Sequence, residues 1–316
     1  NIPGGGQVTV ENGLAFVGHM DAPDGTTIID VKDPSNPKIL KQIFLDDGLS
    51  HTHKVRVAGN LMITNVEQAQ RHLLRRGENL PEVSDQLASS LGRPPNDSEI
   101  AAALGLPENK LRDVRQFLKN GYNDGGFRVW DVSDPSNPDL LSYVRTHGFG
   151  VHRFDMDENY AYISTEMEGY VGNILVIYDL ADPKKPVEVS RWHMPGQHIA
   201  AGEKPSWKGY KNRLHHALRV GNELWAAVWN AGFQVIDVTD IRKPKTIASH
   251  NYHPPFPEPT HTALPCEQLI DGRRIAVVVD EEHEHTPGQP HAFLWIFDVT
   301  DLKNIHPLST FYVSET

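Results

Sequence analysis

The chain has 316 residues, 41 acidic against 30 basic side chains, a net charge of −11, 25 glycines, 23 prolines and one cysteine. That acidic balance argues against a binder of the nucleic-acid backbone, which needs a basic face. Cys266 alone cannot build an intramolecular disulfide framework, and no segment approaches the roughly 18 consecutive apolar residues of a bilayer span. The chain begins at Asn1 rather than methionine, so a removed leader would be invisible, and the compartment is expected to be cytoplasmic or periplasmic.

In chain order, one phrase recurs. It is first Ile28-Ile29-Asp30-Val31-Lys32-Asp33-Pro34-Ser35-Asn36-Pro37, then Val129-Trp130-Asp131-Val132-Ser133-Asp134-Pro135-Ser136-Asn137-Pro138. Shorter copies are Ile177-Tyr178-Asp179-Leu180, Val235-Ile236-Asp237-Val238 and Ile296-Phe297-Asp298-Val299. An apolar strand runs into an Asp-Pro turn, where proline presets φ and aspartate caps the turn, and another strand follows. A hairpin of two alternating segments precedes each phrase, giving four strands per unit. The units span about 7–46, 51–145, 150–193, 214–253 and 260–313. The expectation is an all-β, single-domain β-propeller over 1–316, with five blades as given and seven if the native chain is longer. The repeated phrase resembles the LVIVD repeat family, whose members are taken to be propellers.

Residues 68–124 interrupt the second unit and carry helical signals instead. Pro81-Glu82-Val83 opens one run, Asn96-Asp97-Ser98-Glu99 caps Ile100–Leu104, and Pro107-Glu108 opens Leu111–Leu118. Arg93–Gly105 resembles a helix-turn-helix of sigma-factor type. Across 68–124 eight basic and eight acidic residues balance one another, so a helical cap is expected rather than a DNA-binding element.

Aligned on their first hairpin, four units open with histidine: His53, His152, His216 and His261. Such a strand lines a propeller's channel, so the four imidazoles are expected to converge on the axis, a set suited to Fe, Cu, Mn, Ni or Zn. Fourteen residues on from the first three stand Glu67, Glu166 and Asn230, and strand alignment puts Glu281 there in the fifth. An even separation places both side chains on one face, where each carboxylate or amide would accept the second imidazole N–H and aim the other nitrogen. The recurring Asp30, Asp131, Asp179, Asp237 and Asp298 are read as turn residues, and Cys266 as a packed thiol.

Four propeller histidines with carboxylate supports resemble the carotenoid cleavage oxygenases. That resemblance implies ferrous iron held by His53, His152, His216 and His261, with Glu67, Glu166 and Glu281 behind them and Asn230 as a departure. A second resemblance, to selenium-binding, methanethiol-oxidase-like propellers, implies copper. The insertion and the connections 194–213 and 254–259 fall on the face of Glu67, and bring His198, Trp207, Tyr210 and Phe256; His283 and His285 add a further patch. The expected function is a metal-dependent enzyme, foremost a ferrous-iron oxygenase using O2 on a small organic substrate. A lyase or hydrolase at the same site, or a non-catalytic interaction scaffold, are the alternatives.

Overall fold

The computed structural model describes residues 4–46, 48–208, 211–283 and 288–313. The chain forms five four-stranded antiparallel units. The first is β1 (Gly5–Glu11), β2 (Leu14–His19), β3 (Asp24–Asp30) and β4 (Lys38–Phe44). The second has a broken inner strand, β5 (Ser50–His51) and β6 (Val55–Ala58), pairing with β7 (Leu61–Gln68). Four helices intervene: α1 (Arg71–Gly77), α2 (Leu80–Leu91), α3 (Asp97–Leu104) and α4 (Leu111–Asn120). The unit then closes with β8 (Gly126–Asp131) and β9 (Asp139–Arg145).

The third unit is β10 (His147–Met156), β11 (Tyr160–Glu166), β12 (Ile174–Asp179) and β13 (Val187–Trp192). One bridge, Gly150 to Glu67, joins it to the second as a continuous nine-stranded sheet. The fourth is β14 (His216–Val220), β15 (Glu223–Ala227), β16 (Phe233–Asp237) and β17 (Lys245–His250). The fifth is β18 (Thr260–Pro265), β19 (Ile275–Asp280), β20 (Leu294–Asp298) and β21 (His306–Phe311).

The turn after the third strand is built the same way in all five units. Asp30, Asp131, Asp179, Asp237 and Asp298 each accept through Oδ1 from the backbone N–H two residues on. Asp33, Asp134, Asp182, Asp240 and Asp301 repeat this one turn later. These Asx turns satisfy donors that the ladder cannot reach, which fixes the recurrence of aspartate.

Alternation along the middle strands supplies the packing. In β7, Met62 joins Phe16 and Ile28 of the first unit, while Ile63 joins Val151 and Phe154 of the third. In β15, Leu224 packs on Tyr162 and Ile177 of the third unit, and Trp225 on Trp295 and Phe297 of the fifth. A one-residue step therefore sends side chains to opposite neighbours. The apolar clusters lie between sheets and join them in chain order, from first to fifth.

The insertion has a core of its own: Leu74, Ile100, Leu104, Leu106, Leu111 and Val114, docked on Phe149 of β10. Asn96 and Glu99 close a capping box at the start of α3, as its sequence predicts. Helix α1 has no sequence signal of this kind; its N-cap, Gln70, makes no side-chain cap bond.

Candidate metal centre

The inner strands bring five imidazoles into a file. Ring centroids are 4.2 Å apart for His51 and His53, 5.6 Å for His53 and His152, 4.8 Å for His152 and His215, and 4.2 Å for His215 and His261. Three of these, His53, His152 and His261, were expected there, and two, His51 and His215, were not. His216 is not in the file. Its Nε2 donates to the Phe154 carbonyl at 3.3 Å, and its buried Nδ1 has no partner among the described residues. It belongs to the strand, opposite Ala227, whereas His215 precedes the strand and turns its ring to the centre.

The same local irregularity re-sorts the carboxylates. An interval of fourteen assumes an unbroken hairpin, but the inner strands are interrupted where the histidines stand. In the second unit Glu67 lies opposite His51, not His53. In the third, the ladder shifts between Val151 and Arg153, leaving His152 as the extra residue of a bulge. Glu166 then lies opposite His147, away from His152; it binds Arg75 and accepts from the Phe149 backbone N–H. Asn230 does not support His216 either: its amide donates to the Pro257 carbonyl. His261 is likewise a bulge residue, between Thr260 and Thr262, and Glu281 is grouped with it and His215.

Two groups of two histidines and one carboxylate result, His51–His53–Glu67 and His215–His261–Glu281, each with candidate ligand atoms within 4.8 Å of one another. His152 links them. Its Nδ1 lies 3.2 Å from Glu67 Oε2, and its Nε2 lies 3.0 Å from His215 Nε2.

Hydrogen-bond bookkeeping assigns the protons. A carboxylate only accepts, so His152 Nδ1 carries the proton toward Glu67; a carbonyl only accepts, so His215 Nδ1 carries the one donated to His261 O at 2.7 Å. Burial, the largest cause for both rings, holds their pKa values well below the ordinary histidine range, so both are neutral at neutral pH. The two Nε2 lone pairs therefore face each other at 3.0 Å, with one Arg71 N–H 3.4 Å from that of His152. Two imidazole ligands about 2.0–2.1 Å from one ion and at roughly right angles to each other would stand at about this spacing.

His53 is prepared differently. The Asn65 amide is fixed by accepting from Lys54 N–H and donating to the Val151 carbonyl, both at 2.8 Å. Its N–H also points at His53 Nδ1 (3.2 Å), which places the His53 proton on Nε2, 3.7 Å from Glu67 Oε2. His51 donates through Nδ1 to the Met20 carbonyl and turns Nε2 to Glu67 Oε2 at 3.1 Å. Burial alone would raise the Glu67 pKa, but Arg71 at 2.8 Å, the His51 hydrogen bond and the neighbouring imidazoles bring it down to about 2.

Of the expected surrounding residues, His283 is at the site, 3.2 Å from Glu281 and edge-on to Trp229. His198 instead stacks on Tyr170 beside His193, and Phe256 packs into an aromatic cluster with Trp295 and Phe293. Trp207 is half-buried next to Gly196. Tyr210 and His285 lie outside the described residues. Two neighbours escaped the sequence reading: Arg71 and Arg75 on α1, which reach Glu67 and Glu166 respectively.

A model of the LVIVD repeat matches residues 6–46, 121–146 and 155–193, in the first three units. Together the matched segments cover 106 of the 316 residues (41, 26 and 39). A model of sigma-70 region 3 matches residues 75–122, within the helical insertion between the LVIVD segments. No curated protein matches the chain. Among solved structures, a putative 6-phosphogluconolactonase from Bacteroides uniformis is similar, with a TM-score of 0.57 and 7% identity over 94% of this chain and 68% of that one. The computationally designed Ika8 protein is similar with a TM-score of 0.51 and 8% identity, over 97% of this chain. The chain spans 61% of the length of Ika8. Both likenesses are of fold, and with the repeat matches they are consistent with a propeller-like arrangement of the five units.

Proposed function

We propose that the chain is a metal-dependent enzyme whose ion is held between His152 and His215. The observation that carries this reading is the pair of Nε2 lone pairs facing each other at 3.0 Å, with both Nδ1 protons already committed to Glu67 and to the His261 carbonyl. The Glu67–His152 contact is the carboxylate–histidine pairing that orients a ligating imidazole and raises its basicity. His261 and Glu281 are the nearest further ligands, and His51–His53–Glu67 offers a second group.

Two imidazoles and a carboxylate with open positions are the donor set of non-haem ferrous oxygenases. Ferrous iron acting with O2 on a small organic substrate is thus the leading chemistry, now on a mixed His/Glu set rather than four histidines. A bound ion would supply O2 activation or, as zinc or manganese, a nucleophilic water for a lyase or hydrolase. The protein's own part is to keep the imidazoles neutral and aimed, and to hold the ligand atoms away from bulk water.

Nucleic acid is not the proposed partner, despite the sigma-type helices. Arg93 is paired with Glu99, Arg115 with Asp97 and Lys110 with Asp113, so much of the insertion's positive charge is matched within it. No helix of the described residues is long and apolar enough to cross a membrane.

The test is anaerobic titration of chelator-treated, untagged protein with Fe(II) and Zn(II). Saturable uptake that H215A abolishes and H216A preserves supports the assignment. Equal uptake by wild type and H215A contradicts it, and O2 consumption by the iron form alone separates oxygenase from hydrolytic chemistry.

A further inference from the structure

The centre is surrounded by more positive charge than it compensates. Lys54, Arg71, Arg153 and Arg213 all act on His152 electrostatically, and three of the four are buried. Arg71 is paired with Glu67, and Arg75 on the same helix with Glu166. Lys54, Arg153 and Arg213 have no carboxylate within 4.0 Å among the described residues. Counting Glu281 as their shared counter-charge, four arginines and Lys54, whose pKa burial brings down to about 7, stand against three carboxylates.

Arg213 is the sharpest case. It is 4% exposed, its guanidinium lies 3.7 Å over the Trp229 ring, and no described residue accepts a hydrogen bond from it. Its Nε and the indole N–H of Trp229 are both buried donors without partners among the described residues. Trp229 is also held at φ +36°, a region bulky side chains avoid, so the surrounding structure keeps this ring in place at a conformational cost. Arg153 adds a third such donor at Nε, while one of its terminal nitrogens donates to His261 Nε2 at 2.9 Å. A buried charge without a counter-ion is costly, and a cluster of them is retained only where something offsets it.

We infer that Lys54, Arg71, Arg153 and Arg213 form a binding site for an oxyanion, the carboxylate or phosphate group of the substrate, beside the metal centre. Planar guanidinium forks match either group in two-point contacts, and Lys54, whose pKa burial brings down to about 7, adds a point charge when an anion draws a proton to it. The inference extends the metal reading to the class of substrate, but it does not need the ion. An anion would also offset the repulsion between these four cations and a divalent ion at His152 and His215, so anion and metal should bind cooperatively.

The experiment is calorimetric titration of the chelator-treated full chain with inorganic phosphate and with oxalate at constant ionic strength, for wild type, R213Q and R213K. Saturable binding of at least one anion is expected, weakened about tenfold or more in R213Q and less in R213K. The anion with the higher affinity distinguishes a phosphoryl from a carboxylate substrate. In anion-free buffer R213Q should raise Tm, because it removes an unpaired buried charge; this readout shows that the variant folds. No saturable binding of either anion, or equal binding by wild type and R213Q, overturns the inference. Metal uptake by R213Q, measured separately, reports on the metal reading whichever way the anion result falls.

Discussion

The two ends of each repeat follow different rules. At the outer turn, five aspartates make the same backbone contact, and a second set of five repeats it a few residues later. At the inner strand the units diverge: β5 and β6 are split, β1, β10 and β18 are irregular at different places, and β14 starts one residue after the histidine that matters. Outer turns answer only to local backbone geometry, which is common to every unit. Inner strands must aim specific side chains at one another across units, and a bulge re-aims a side chain at the cost of ladder regularity. Regularity here marks folding, and its loss marks the candidate site.

This contrast can be broken by substitution. The largest effect is expected between the sheets: W225A empties a fully buried position and should cost about 3–5 kcal/mol in denaturant unfolding. Next comes acid. His53, His152, His215 and His216 are held well below the ordinary histidine range by burial, and His261 at about 4. The unfolded chain takes up these protons near pH 6.5 while the folded chain does not, so their contribution is complete above that pH and is lost as pH falls. Metal-free protein should therefore lose stability between about pH 6.5 and pH 4, by up to about 1.4 kcal/mol per pH unit for each imidazole still neutral in the fold. A flat Tm across that range would contradict the depressed pKa values of these five histidines.

Smaller still is E67Q, which keeps the shape but removes the charge facing His51, His152 and Arg71; metal affinity should fall about 10–100-fold with the fold retained. The smallest effect should come from D131A. It removes one of five equivalent turn bonds on an exposed loop, so Tm should drop slightly and metal content should not change. If D131A affected metal content as strongly as E67Q, the division between outer and inner ends would fail.

The same contrast explains what the sequence disclosed. Five units, their boundaries and the insertion were legible because Asp-Pro turns and two-residue alternation are local signals. The concentration of histidines at the inner strands was legible too. Their partners were not, because pairing was counted along an unbroken hairpin. His51-Thr52-His53 and His215-His216 each offered two candidates, and the register that selects between them depends on bulges with no sequence signature. Glu67 illustrates the point: its neighbours are His51 across the strand and His152 from the next unit, neither given by the interval to His53. Arg71 and Arg213 were missed for a related reason, since one lies on a helix without a capping signal and the other in an irregular connection.

The most direct test of the central claim is anomalous diffraction from crystals of untagged protein soaked with Fe(II) or Zn(II). The account predicts a peak within bonding distance, about 2.0–2.1 Å, of both His152 Nε2 and His215 Nε2, absent in H215A and retained in H216A. A peak at His216 instead, or none at the His152–His215 pair in fully soaked wild-type crystals, would contradict it.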